Sequence, residues 1–326
     1  MKKQNILILG GAGFIGGHLA ARLVADGRRV VVPTRRRERY RRLILLPTIE
    51  LAQADIHDDA TLARLVAGQD AVINLVGTLN GGAAKRSGAS YGPGFAQAHV
   101  ELPRRLVAAC EKANVRRLLH VSALGADPKG PSMYLRSKGD GEAIVAAARD
   151  LRPTLFRPAT VFGRNDFFLN RFKFLAKLLP VLPIGSAGAR VQPIWVEDVA
   201  DAIFNALDNE DTIGKTYELC GPRIYTIGEL AAFSARASGH PRRIISLSPG
   251  PAHLAARLME LGPGAPLVSR DNLDSLTVDA VASRQPYVAA PELGISPSPL
   301  ELEAVTYLSG TSPQTRFDRY RARAHR

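Results

Sequence analysis

The sequence predicts an α/β protein: a doubly wound parallel sheet with a smaller, mixed carboxy-terminal lobe. Three features of the 326-residue chain lead there. Short apolar runs alternate with Ala- and Leu-rich stretches through the first half, the rhythm of a parallel sheet covered by helices on both faces. The first apolar run, Ile6-Leu7-Ile8-Leu9, opens directly into a turn with glycines at Gly10, Gly13 and Gly16. After Arg157 the alternation stops, and prolines and glycines punctuate shorter elements.

Strands are expected at Asn5–Leu9, Arg29–Pro33, Glu50–Gln53, Ala71–Val76, Arg117–Ser122 and Thr154–Arg157. Helices are expected between them at Phe14–Asp26, Arg37–Leu45, Asp59–Ala67, Phe95–Ala113 and Ser132–Ala148. Right-handed crossovers bring the carboxyl ends of such strands, and so the ligand, to one edge of the sheet. Gly81–Gly94, rich in Gly, Ser and Ala, breaks the alternation and reads as a mobile loop above that edge, either a lid or a tolerated surface loop. Within Phe167–Leu182, residues Phe168, Phe172, Leu175 and Leu179 recur at helical spacing with Arg171, Lys173 and Lys177 between them. Such a stripe is either the wall of a substrate pocket or a basic amphipathic face for a membrane or partner; the pocket wall is favoured. Val191–Val196 reads as a strand and Glu197–Leu207 as a helix, with Asp198 at its start where a carboxylate suits the exposed amides. The expected organisation is a nucleotide-binding domain over 1–163, with 189–207 returning to it. A second lobe covers 164–188 and 208–310, and a basic tail covers 311–326.

Composition narrows the class. Apolar content of 46% and charged content of 22% are those of a soluble globular protein. Cys110 and Cys220 lie far apart, and the seven histidines are scattered without ligand spacing, so no metal site is expected. Met1-Lys2-Lys3 before an apolar run imitates a signal peptide, but the glycine pattern interrupts that run. No segment reaches the roughly 20 apolar residues of a membrane span. The expectation is a cytoplasmic protein, with peripheral placement at the inner face of a membrane as the variant its charge invites. Net charge is +13, concentrated in Arg35–Arg42 and Arg316–Arg326. These blocks suit a solvated surface, an anionic lipid surface or an acidic protein partner; no nucleic-acid-binding motif accompanies them.

The glycine turn is a dinucleotide signature. Gly10 lets the chain reverse, Gly13 removes a side chain where a pyrophosphate must approach backbone amides, and Gly16 lets the helix pack close to the strand. Phe14 and Ile15 contribute the first amides of that helix. A second constellation carries acid–base chemistry. Tyr134 and Lys138 are four apart and share a helix face, with Ser122 at the end of the strand upstream. A phenol ionises near pH 10, and a neighbouring ammonium pulls that value down, while a serine hydroxyl can orient a substrate carbonyl.

Together these residues resemble the short-chain dehydrogenase/reductase superfamily, in its extended or atypical branch. Its landmarks recur as Gly10/Gly13/Gly16, Asp55-Ile56, Asn74-Leu75-Val76-Gly77, Ser122, Tyr134/Lys138 and Arg157-Pro158 followed by Val161-Phe162-Gly163. The resemblance implies a Rossmann-like domain in which Asp55 and Ile56 flank the adenine and Gly77 approaches the diphosphate. It also implies that Lys138 bonds the nicotinamide ribose and Pro158 backs the nicotinamide, and it places Val76 and Val121 at strand ends that face the cofactor. In the helix after the fourth strand, where such enzymes commonly carry Asn for a proton relay, this chain has His99, itself able to relay protons. Three longer matches, Tyr134–Lys138, Phe162–Asn170 and Gln192–Val199, are similar to the NAD(P)H-binding accessory subunit of respiratory complex I and its bacterial relatives. Asp271-Asn272-Leu273 and the basic carboxyl tail fit the same group. That resemblance implies a firmly held nucleotide, a structural role and a place near the membrane in a respiratory complex.

The second strand distinguishes the two dinucleotides. A carboxylate at its end would bond the ribose 2′-hydroxyl of NAD(H), but Val30-Val31-Val32-Pro33-Thr34 runs into Arg35 and Arg36, whose guanidinium forks suit a 2′-phosphate. NADP(H) is therefore the expected cofactor, with NAD(H) as the alternative. Three functions follow: a nucleotide-holding accessory protein; a working reductase, epimerase or dehydratase acting on a quinone-like, isoprenoid or nucleotide-sugar substrate; or an NADPH-sensing regulator.

Overall fold

The computed structural model describes residues 4–82, 90–262, 264 and 266–309. In chain order the elements are β1 (Asn5–Leu9), α1 (Phe14–Ala25), β2 (Arg29–Thr34), α2 (Arg41–Ile44), β3 (Ile49–Gln53), α3 (Asp59–Val66), β4 (Ala71–Asn74), α4 (Pro93–Phe95), α5 (Leu102–Lys112), β5 (Arg117–Val121), α6 (Met133–Ala146) and β6 (Arg152–Pro158). There follow β7 (Val161–Phe162), α7 (Leu169–Leu178), β8 (Val181–Gly185), β9 (Arg190–Val191), β10 (Ile194–Trp195), α8 (Val196–Asp208), β11 (Thr216–Leu219), β12 (Tyr225–Thr226), α9 (Ile227–Ala237), β13 (Arg243–Leu247), α10 (Pro249–Glu260), α11 (Arg270–Ser275) and α12 (Leu300–Leu308).

The chain divides into two units. The first comprises residues through Pro158 with Val196–Leu219 and Val288–Ser296; the second comprises Ala159–Trp195, Cys220–Tyr287 and the residues from Pro297 onward.

The first unit is built on a seven-stranded parallel sheet in the order β11-β6-β5-β4-β1-β2-β3. Leu7 lies opposite Val31 on one side and Val72 on the other. The side-chain period of two turns Leu7 and Leu9 into a core shared with Leu62, Leu102, Leu106 and Leu118. Ile6 and Ile8 face the opposite layer and are equally buried. Burying each such side chain stabilises the fold by about 2 kcal/mol, which is why the central strands are nearly unbroken runs of Ile, Leu and Val. α8 packs on α1, and His18–Glu197 at 2.6 Å and Arg22–Asp201 join the two helices. Order reverses between β1 and β4, which opens a crevice at the carboxyl ends of those strands.

The structure revises several expected boundaries. Arg37–Leu45 is a 3-10 turn at Arg37–Tyr40 followed by the short α2. Phe95–Ala113 is not one regular helix: Ala96–Glu101 forms a π-helical turn before α5 begins. Pro103 has no N–H to give the His99 carbonyl four residues back, and that carbonyl lies instead where a Cβ on Gly141 would sit. Thr216–Leu219, assigned by sequence to the second lobe, is the edge strand of the main sheet, pairing β6 from Leu155 to Pro158. Of the loop expected over Gly81–Gly94, residues 83–89 lie outside the described residues. Its flanks are held: Gly94 N donates to Gly81 O at 2.9 Å, and the Arg136 guanidinium donates to Ser90 O at 3.0 and 2.8 Å.

In the second unit a core of Phe162, Leu169, Phe172, Leu182, Ile227 and Leu300 joins α7, β8, α9 and α12. The expected helix Phe167–Leu182 ends at Leu178, and Pro180 stops it before β8, which contains Pro183 and pairs parallel with β13. Phe168, Phe172 and Leu175 pack into this core. Val191–Val196 is two short strands separated by Pro193. The tail 316–326 lies outside the described residues. No helix among the described residues is long and apolar enough to cross a membrane.

A candidate nucleotide site

The glycine turn has the geometry a pyrophosphate needs. Gly10 has φ of +77°, open to glycine at little cost, and a Cβ there would sit 3.0 Å from the Leu75 carbonyl carbon. That approach is fixed by Leu75 N donating to Leu9 O at 2.9 Å. A Cβ on Gly16 would lie 2.5 Å from both Gly10 O and Gly11 Cα, so α1 can sit this close to β1 only with glycine at that position. Gly13 is the N-cap of α1 and meets only Gly10 O, at 3.1 Å. No side chain caps the helix and no acidic residue stands in its first turn. The amide end of α1, at Phe14, Ile15 and Gly16, thus presents its positive partial charge unopposed, and a phosphate fits there.

At the far side of the sheet Arg35 and Arg36 are exposed at the end of β2, and Arg36 N donates to Thr34 Oγ1 at 3.3 Å. Asp55 follows β3 and accepts the His57 amide at 3.0 Å, while Ile56 packs against the sheet core. Burial holds the His57 imidazole below its usual range, and Arg105 and Arg35 press in the same direction. Thr34 pairs with Gln53 where β2 and β3 end, so Arg35 and Asp55 leave the sheet at the same edge.

Lys138 reaches the end of β5 beside Ser122, from the helix that carries Tyr134 one turn earlier. Ser132 Oγ accepts Leu135 N at 3.1 Å and so caps α6, setting Tyr134 in its first turn. Lys138 follows one turn later, about 6 Å along the axis. Its Nζ is buried and donates to the Val121 carbonyl at 3.1 Å. Burial lowers the ammonium to about 8, with Glu142 opposing that shift. Glu142 in turn is held by a bidentate bond from Arg157, Nε to Oε2 at 3.0 Å and Nη2 to Oε1 at 2.5 Å. Gly77 faces this group: a Cβ on it would lie 3.4 Å from Lys138 Nζ. Val76 N donates to Asn74 Oδ1 at 3.1 Å, and Asn74 Nδ2 lies 3.1 Å from His120 Nδ1. Pro158 is buried at the end of β6, where its carbonyl accepts Leu124 N at 2.9 Å.

Ser122 follows Val121 and is 3% exposed, yet its Oγ has no hydrogen-bond partner. A buried hydroxyl without a partner costs about 1–3 kcal/mol, so the site retains a polar group that a ligand would satisfy.

His99 does not sit as a relay. It is buried, its Nε2 lies 3.0 Å from Thr78 N and its Nδ1 lies 2.8 Å from Ser137 Oγ. Both ring nitrogens are already engaged. Sequence reasoning did not find this pairing, nor Glu142 or the Asn74–His120 pair. Glu142 had a signal, since it stands one helical turn beyond Lys138; the others are contacts between distant segments. Among the described residues no group of His, Cys, Asp and Glu is placed to hold a metal ion.

The profile of the NAD dependent epimerase/dehydratase family matches residues 6–228. The chain is 32% identical to NADH dehydrogenase (ubiquinone) 1 alpha subcomplex subunit 9, mitochondrial, of Rattus norvegicus over 314 residues, covering 92% of this chain and 78% of that protein. It is 32% identical to the ceramide reductase of Caulobacter vibrioides over 256 residues, covering 77% of this chain and 75% of that protein. In structure it is similar to an NADPH-dependent quinone oxidoreductase of Escherichia coli complexed with NADPH, at TM-score 0.71 and 19% identity, with 93% of this chain and 99% of that chain covered. At that identity the likeness speaks for the fold.

Proposed function

The chain belongs to the NAD-dependent epimerase/dehydratase family, in the group that includes subunit 9 of the mitochondrial complex I alpha subcomplex, and we propose that it holds NADP(H) as an accessory protein of a respiratory complex. The observation that carries this reading is the joint presence of an uncapped, glycine-lined α1 amino terminus and a buried Lys138 facing Gly77. One supports a pyrophosphate; the other supports a ribose and nicotinamide held without bulk solvent. Arg35 and Arg36 favour the 2′-phosphate of NADP(H) over NAD(H). Asp55, Ile56, Val76, Val121 and Pro158 are the further contacts we assign to the dinucleotide.

The reading as a docked subunit is supported by the second unit. Phe174 and Leu178 on α7, and Leu254, Leu258 and Leu261 on and just after α10, are exposed large apolar residues. α7 and α10 both pack on β8, and Lys177 and Arg257 stand among these residues. Exposed apolar residues with cations beside them would suit a membrane-associated respiratory assembly or an anionic lipid surface, and placement at the inner face of a membrane is part of this proposal.

A second reading, a working reductase, is favoured by the unpartnered Ser122 Oγ and by the likeness to a ceramide reductase. A bound nicotinamide would supply the hydride. Ser122 would orient a carbonyl, Tyr134 would donate the proton to its oxygen, and the Lys138 ammonium would favour the resulting phenolate. Single-turnover oxidation of bound NADPH by a short-chain quinone, in wild type and Tyr134→Phe, separates the two. A nucleotide that stays bound and reduced in both supports the holding role. Fast oxidation that collapses in the variant makes the protein an enzyme.

A further inference from the structure

Holding a nucleotide gives no task to the deeply buried His99. His99 is 2% exposed and lies in the π-helical turn Ala96–Glu101, between the segment after β4 and the helix that carries Tyr134 and Lys138. Its hydrogen bonds determine its tautomer. Thr78 N can only donate, so Nε2, 3.0 Å away, is the acceptor and carries no proton. Ser137 Oγ gives its own hydrogen to the Tyr134 carbonyl at 2.8 Å, so Nδ1, 2.8 Å from that Oγ, must be the donor. The result is one directional chain, from Thr78 N–H to Nε2, and from Nδ1–H through the Ser137 hydroxyl to the Tyr134 carbonyl.

The surroundings keep the ring neutral. Burial, then Lys138 on α6 and His120 on β5, push the imidazole down to about 2. Tyr134 and Phe95 enclose it, with ring centroids at 5.6 and 5.7 Å. The backbone is fixed as well, since the His99 carbonyl fills the space left by the missing side chain of Gly141. What the ring joins matters for the nucleotide. Thr78 follows Gly77, whose absent side chain opens the gap to Lys138 Nζ, and a Cβ at Gly77 would also lie 3.8 Å from His99 Nε2.

We propose that His99 is a positioning residue that, as a single neutral tautomer, bolts the Gly77–Thr78 segment to the backbone of Tyr134 and so sets the width of the nucleotide gap between Gly77 and Lys138. Because the chain ends at a backbone amide and a backbone carbonyl, it passes no proton to or from the Tyr134 hydroxyl. The effect on the nucleotide rests on the NADP(H)-holding reading; the bolt itself does not.

Two measurements on the full chain test this. In nucleotide-free protein, ring-nitrogen NMR should show His99 protonated at Nδ1 and unchanged between about pH 5 and 9, where an ordinary histidine titrates. A proton on Nε2, or a titration in that window, overturns the proposal. The second compares His99→Gln and His99→Leu by hydrogen exchange at the Thr78 amide and by the rate at which NADPH leaves. Gln offers one acceptor and one donor and should stay within about threefold of wild type on both, while Leu should lose about tenfold or more protection and release NADPH about tenfold faster. Wild-type values in a folded His99→Leu protein overturn the proposal. If that variant does not fold, Ser137→Ala, which removes the Nδ1 partner and its link to the Tyr134 carbonyl, should still speed Thr78 exchange, and no change there overturns it. Wild-type protein that binds no nicotinamide nucleotide defeats the NADP(H) reading and with it the nucleotide arm, while the NMR and exchange results still decide the bolt.

Discussion

Lys138 Nζ donates to the Val121 carbonyl at 3.1 Å, which places a buried ammonium against the end of the strand that carries Ser122. Burial lowers this lysine to about 8, against 10.5 for an ordinary one. Below about pH 8 both folded and unfolded chains carry the proton, and the folded state bears the full cost of the buried charge. Between about 8 and 10.5 the unfolded chain binds more protons than the folded one, so stability rises with pH across that window. Lys138→Met should therefore be more stable than wild type at pH 7, by on the order of 1–3 kcal/mol, and the difference should shrink by pH 9. Calorimetry of both proteins at the two pH values checks this; a variant less stable than wild type at pH 7 contradicts it. The same variant should bind NADPH about tenfold or more weakly.

The two glycines of the turn should separate stability from binding. Gly16→Ala forces a Cβ to within 2.5 Å of backbone atoms on two neighbouring residues, and backbone cannot move aside as a side-chain tip can. Its expected cost is about 2 kcal/mol or more, read as a lower denaturant midpoint. Gly13→Ala meets only Gly10 O and should cost less than about 1 kcal/mol while sharply weakening NADPH binding, because the methyl group stands at the face the pyrophosphate approaches. Equal losses of stability in both variants would show that Gly13 is there for packing.

On the NADP(H) reading, Arg35 is the residue that would set the cofactor preference. Arg35→Glu should weaken NADPH about tenfold or more beyond any loss for NADH, since a charge-assisted bond to phosphate is worth about 1.5–3 kcal/mol. Fluorescence titration with each nucleotide measures the ratio, and equal losses would remove Arg35 from the 2′-phosphate.

Glu142 and Arg157 form a partly buried pair, and Glu142→Gln leaves the guanidinium with a weaker partner. The Arg157 side chain keeps about a third of its exposure, which moderates the penalty, so destabilisation of about 1–3 kcal/mol is expected by chemical denaturation. Because Glu142 helps keep Lys138 protonated, the variant should also move the alkaline limb of the NADPH-affinity profile to lower pH.

The legible parts of this protein are local. Ile6–Leu9 and its glycine turn state their conformation within a dozen residues, because apolar runs, turn requirements and helix amide ends are properties of neighbouring residues. The same holds for Tyr134 and Lys138, which a single helical turn brings to one face. The illegible parts are decided at a distance. The π-helical turn around His99 depends on Gly141, forty-odd residues later, and on what Pro103 cannot donate. β8 looked like the end of a helix because Leu179 and Leu182 keep a helical spacing, yet Pro180 and pairing with β13 win. β11 could not be told from a strand of the second lobe, since nothing in Thr216–Leu219 names its partner.

That partner has a consequence for biosynthesis. The chain leaves the sheet at Pro158 and does not supply the neighbour of β6 until Thr216, after most of the 57 intervening residues have gone into the other unit and α8. While the protein emerges from the ribosome, β6 remains an unpaired edge with buried-type residues such as Leu155 and Phe156 on it, and edges of that kind recruit other chains. Closing the sheet must wait for Leu219. A fragment cut near residue 163 would contain every glycine, serine, tyrosine and lysine of the candidate site and still present an open, adhesive flank.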